Sequence, residues 1–65
     1  MSNSDVATKL KILRGERTQK EVADEIGINQ STYAMYECGQ RIPSDENKRK
    51  IAAIYHRTVQ EIFFE

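Results

Sequence analysis

The sequence predicts an all-α domain of five short helices, and three observations carry that reading. Apolar residues recur at helical spacing throughout, no segment alternates apolar and polar residues for long, and cap and stop residues return at short intervals. Val6, Leu10 and Leu13 stand at i, i+4 and i+7, and with Ser4 as N-cap they predict a first helix to about Arg14. Thr18 followed by Glu21 is a capping box opening a second helix, with Val22, Ala23 and Ile26 as its inner stripe. Gly27 falls where a left-handed residue ends it. Asn29 caps a third helix running to Cys38, and Gly39 is its stop. Ser44 caps a fourth, whose first turn places Asp45 and Glu46 at the positive end of the helix dipole. Its inner face is Ile51, Ala52, Ile54 and Tyr55. Thr58 caps a last short helix ending in Ile62, Phe63 and Phe64.

Sixty-five residues make one domain, 1–65, with one small core. Cys38 is the only cysteine and His56 the only histidine, which excludes an internal disulfide and an all-protein zinc site. Cys38 is expected to be an inert exposed thiol and His56 to meet the dipole at a helix C-terminus. No stretch approaches the roughly 18 apolar residues of a membrane span, and Met1–Ser4 leads into no signal-peptide core. A soluble, cytoplasmic chain without cofactor, metal, membrane contact or evident small-molecule ligand is expected. Catalysis is not expected either, because Ser, Cys and His show no triad spacing and the glycines form no phosphate loop.

The formal charge is zero, but by cancellation between segments. Lys9, Lys11, Arg14, Arg17 and Lys20 against Glu16 give residues 9–20 a net +4, and Glu21, Asp24, Glu25 and Glu37 give residues 21–37 a net −4. Residues 38–50 add +2, from Arg41 and Lys48–Lys50 against Asp45 and Glu46. A basic patch forms if the positive stretches converge.

The most informative stretch is Gln19 to Cys38. Two short helices joined by a tight turn containing Gly27 are a helix-turn-helix, spanning about residues 18–38. The steep crossing needs a small residue, supplied by Ala23, and the turn needs positive φ, supplied by Gly27. Val22, Ile26, Ile28, Tyr33 and Tyr36 fill the angle between the helices. Advancing about 100° per residue from Tyr33 and Tyr36 places Ser31, Ala34, Met35 and Cys38 on the opposite face. That face is uncharged until Glu37, whereas a solvated face would carry Lys and Glu. It suits a surface pressed into a major groove.

The stretch TQKEVADEIGINQSTYAMYECGQRIP, residues 18–43, resembles the helix-turn-helix of phage repressor and Cro-type regulators, the XRE family. The continuation SDENKRKIAAIYHRTVQEIFF is similar to that family's fourth and fifth helices. The resemblance implies a five-helix, lambda repressor-like domain that docks as a homodimer on a two-fold related operator in double-stranded DNA. It further implies a transcriptional regulator, a repressor or Cro-like protein, at work on the nucleoid of a bacterial or phage-infected cell. The chemistry of the third helix assigns base contacts to Gln30, which pairs bidentately with adenine, to Ser31, and to Ala34 and Met35 against thymine methyls. Met35 has a dimer contact as its other use. Gln19, Gln40 and Arg41 match the family's phosphate-contacting positions, and Lys20 and Thr32 join them as expected contacts. Arg14 and Glu37 stand where the family joins its first and third helices by an ion pair. Tyr33 and Tyr36 are expected to pack with their hydroxyls at the rim, and Lys48, Arg49 and Lys50 form a solvated face or a DNA clamp.

Lys9, Arg17, Lys20 and Arg41 are expected to flank the third helix, with Asp24 and Glu25 turned away. The apolar terminus exceeds what one small core absorbs, so Ile62, Phe63 and Phe64 are expected at the dimer interface. Half-sites then lie about 34 Å apart. The other reading is a protein-interaction module on the same fold, an anti-repressor or antitoxin-type partner, which the zero net charge favours.

Overall fold

The computed structural model describes residues 3–64, with side chains from Asp5 onward. They form five helices and no strand: α1 Asn3–Arg14, α2 Gln19–Ile26, α3 Gln30–Glu37, α4 Asp45–Ile54 and α5 Val59–Phe63. α1 opens at Asn3, one residue ahead of the cap expected at Ser4, whose side chain lies outside the described set. The other starts follow from local chemistry. Thr18 accepts from Glu21 N while the Glu21 carboxylate accepts from Thr18 N at 2.9 Å. Thr58 and Glu61 repeat that reciprocal pair at α5, and Asn29 and Ser44 cap α3 and α4. Each cap satisfies an otherwise orphaned backbone donor, worth about 1 kcal/mol.

The main helix contacts close into a ring in the order α1, α3, α2, α4, α5 and back to α1. Leu10, Val22, Ile26, Tyr33, Tyr36 and Ile51 fill its centre, and Ala23 is fully buried where α2 meets α3. Gly27, at φ 90°, turns the chain between those two helices, and its neighbour Ile28 donates back to Ala23 O at 3.0 Å. Ile62 and Phe63 belong to the same core. The small core does absorb the apolar terminus, and of the three residues expected at a dimer interface only Phe64 is exposed. The ring explains this. α5 closes it against both α4 and α1, so its inner residues complete the protomer.

α4 ends in a Schellman turn: Arg57 N donates to Ala52 O at 3.0 Å and His56 N to Ala53 O at 3.2 Å. The turn requires a left-handed residue, and His56 occupies it at φ 55°. A Cβ there costs about 1–2 kcal/mol. His56→Gly is therefore expected to stabilise the domain by about 1 kcal/mol, raising Tm by about 4–8 °C in a thermal melt. An unchanged or lower Tm would show that the imidazole makes a compensating contact.

Candidate nucleic-acid interface

α3 is set by its two ends and its inner face. At its start Asn29 Oδ1 accepts from Thr32 N at 3.0 Å and from Thr32 Oγ1 at 2.8 Å. At its end a Schellman turn through Gly39, φ 78°, returns Gln40 N to Met35 O at 3.0 Å. Tyr33 and Tyr36 point inward and meet edge to face, with ring centroids 6.4 Å apart.

Glu37 decides the character of the outer face. Its side chain turns into the protein, and the residue is 1% exposed. Arg14 holds it with a fork, Nε to Oε2 at 2.7 Å and Nη2 to Oε1 at 3.1 Å, and Gln19 Nε2 donates to Oε1 at 3.1 Å. The Tyr33 hydroxyl also hydrogen-bonds this carboxylate, and lies 2.6 Å from the Tyr55 hydroxyl. Either hydroxyl can be the donor between the two tyrosines. Burial opposes ionisation of Glu37, but the hydrogen bonds from Arg14, Gln19 and Tyr33 outweigh it and hold the carboxyl below its ordinary range. Burial pushes both tyrosine hydroxyls up, so they stay neutral donors. Side chains of α1 and α2 thus converge on one group of α3, and Tyr55, the residue after α4, joins through Tyr33. The ion pair expected between Arg14 and Glu37 is present, whereas the Tyr33 hydroxyl is buried rather than at the rim.

With Glu37 withdrawn, the outer face of α3 bears no charge. Among the described residues Gln30, Ser31 and Cys38 are exposed and Ala34 and Met35 partly buried, so the strip reaches the surface along its length. Gln40 and Arg41 are exposed in the loop after it. The expected flanking cations are arranged differently. Arg17 Nη1 lies 3.4 Å from Glu25 and Lys20 Nζ 3.0 Å from Asp24, so both cations are paired with carboxylates. Lys9 Nζ donates to Glu61 O at 2.9 Å, on the α5 side of α1. Thr32 commits its hydroxyl proton to the Asn29 cap, and Gln19 its amide to Glu37. Composition counted these groups as available to a ligand; residues 4 to 52 positions away in the chain, or a local cap, engage them. The Tyr33–Tyr55–Glu37 cluster had no sequence signal, since tyrosines 22 residues apart reveal nothing of their contact.

Two short helices crossing over Ala23, with the second presenting an open, charge-free face, define a helix-turn-helix protein. The chain belongs to the helix-turn-helix family, whose pattern matches residues 9–62. It is 41% identical over 46 residues to the cryptic phage CTXphi transcriptional repressor RstR of Vibrio cholerae serotype O1 (strain ATCC 39315 / El Tor Inaba N16961), covering 71% of this chain and 41% of that protein. A second RstR of Vibrio cholerae is 38% identical over 58 residues, 86% of this chain and 52% of the relative. The chain therefore spans about half the length of these relatives. No solved structure matches it significantly.

Proposed function

We propose that this chain is a sequence-specific double-stranded DNA-binding transcriptional regulator, a repressor acting as a dimer on a two-fold related operator. The observation that carries the reading is the open outer face of α3, emptied of charge by the inward turn of Glu37. The relatives' description as transcriptional repressors supports repression by occupancy of a promoter. Gln30, Ser31, Ala34 and Met35 read base edges, with Gln30 pairing to adenine. Arg41, Gln40 and Lys20 hold phosphates, with the backbone N–H groups that open α2 beside Gln19. Thr32 contributes only by releasing its cap. The exposed pairs of Arg17 and Lys20 stabilise by no more than about 1 kcal/mol, so a phosphate competes for either cation at little cost. The described residues extend 26 × 22 × 22 Å, less than the roughly 34 Å between half-sites, so each protomer reads one.

Binding selection from random duplexes is expected to return a two-fold symmetric site. Gln30→Ala then loses about 1–3 kcal/mol of discrimination at one base pair per half-site, measured by titrating operator variants. An even loss over all variants would remove Gln30 from base readout. The pairing of Arg17 and Lys20 with carboxylates favours the second reading, a protein-interaction module. Salt separates the two: a DNA binder loses affinity with a log–log slope of about −0.9 per phosphate neutralised. A slope near zero would favour the interaction module.

A further inference from the structure

Residues 38–44 connect the end of α3 to the start of α4 and carry Gln40 and Arg41. Each end of this loop is anchored locally. The Schellman turn through Gly39 returns Gln40 N to Met35 O at 3.0 Å, and Ser44 Oγ accepts from Asn47 N at 3.3 Å to cap α4. Between the anchors Arg41 is exposed and Ile42 is 57% exposed, so burial holds this stretch only at Pro43.

The anchors stand on helices that pack mainly elsewhere. α3 lies chiefly against α1 and α2, and α4 against α2 and α5. Among the described residues one side-chain hydrogen bond joins α3 to α4: Asn47 Nδ2 donates to the Tyr36 hydroxyl at 3.2 Å. Asn47 lies in the first turn of α4, so its backbone N–H closes the Ser44 cap while its side chain reaches across the loop. Tyr36 is a firm post for that bond, being 4% exposed and packed edge to face on Tyr33.

We propose that Asn47 is a positioning residue for DNA binding. Through the Tyr36 hydroxyl it holds the start of α4, and with it the loop bearing Gln40 and Arg41, at a fixed offset from the outer face of α3. The proposal rests on the DNA-binding reading above and on the phosphate contacts given there to Gln40 and Arg41. Phosphate contacts set the register in which base edges are read, so the separation of the two sets matters. A loop held in place before docking avoids the ordering cost that a swinging loop meets on the duplex. Base discrimination does not depend on this bond, because α3 keeps its Asn29 cap and the ties of Glu37 to Arg14 and Gln19.

The test titrates the duplex returned by selection, and its single-base variants, with the parent chain, Asn47→Ala, Tyr36→Phe and the double variant. Circular dichroism fixes a temperature at which each is folded. Tyr36→Phe keeps the ring in the core, and it carries the test if Asn47→Ala melts. Each single variant is expected to weaken binding about three- to tenfold, evenly over all duplex variants. The double variant is expected to lose no more than either single one, since both remove the same bond. A chain with Gln40→Ala and Arg41→Ala supplies a readout that a purely structural role would not move. On that background Asn47→Ala is expected to change affinity less than about twofold, because no loop side chain remains to be placed. An undiminished loss there makes the bond merely structural and overturns the proposal. Unchanged binding by Tyr36→Phe overturns the tie, and a loss confined to particular base pairs overturns its action on the loop. A parent chain that selects no duplex overturns the DNA-binding reading itself.

Discussion

Replacing Arg14 with methionine is expected to lower stability by about 3–5 kcal/mol, because it leaves the buried Glu37 carboxylate without its cation. A domain of this length holds only about 3–10 kcal/mol in total, so the variant sits near its unfolding threshold at 25 °C. Urea unfolding followed by circular dichroism measures it. The cost comes from the orphaned charge rather than from the lost pair, and a second variant separates the two. Arg14→Met with Glu37→Gln removes the charge yet keeps an oxygen for Gln19 and Tyr33, so it is expected to be more stable than Arg14→Met alone at pH 7. Equal stability of the two would place the loss in the packing of the Arg14 stem.

Acidity gives the same network an independent readout. In the parent chain the Glu37 carboxyl is held below its ordinary range. Its contribution is thus complete above the unfolded value of about 4.3 and lost as pH falls through the lower folded value. Glu21 and Glu61 act in the same direction, held low by the backbone and hydroxyl hydrogen bonds of Thr18 and Thr58. The parent is expected to lose stability below about pH 4. In Arg14→Met, burial without the cation raises Glu37 instead. That variant therefore gains relative to the parent as pH falls, and a constant difference from pH 7 to pH 3 would exclude the mechanism.

Phe63→Ala is expected to cost about 3–5 kcal/mol, whereas Phe64→Ala stays within about 0.5 kcal/mol. The rings are adjacent in sequence and both lie near Lys48 Nζ, at 5.5 and 5.0 Å, so a cation–π difference cannot produce the gap. Burial does: Phe63 is 6% exposed inside the ring of helices. Thermal and urea unfolding of the two variants provide the comparison. Similar losses at both positions would mean that Phe64 also supports the protomer. Deleting residues 62–65 removes Ile62 and Phe63 together, so unfolding rather than a shift to monomer is the expected result.

Much of this could be read locally. Thr18, Asn29, Ser44 and Thr58 cap the helices predicted from them, because a cap bonds a backbone donor three residues away and needs nothing else. Ala23 and Gly27 were legible for a similar reason, since the crossing demands a small residue and the turn a left-handed one. The availability of Lys9, Lys20 and Thr32 was not legible. A composition reading counts a cation or hydroxyl without its partner, and each has one here.

The sequence by itself determined the helices, the turn between α2 and α3, and the uncharged residues on the outside of α3. Those features depend on interactions within about one helical turn, which periodicity and caps encode directly. Only the tertiary structure decided that Glu37 turns inward to Arg14, 23 residues away, and that Lys9 reaches α5, 52 residues away. It likewise decided that Ile62 and Phe63 complete the core while Phe64 remains outside. Such contacts arise when the helix ring closes, and closure depends on the shape of every helix at once.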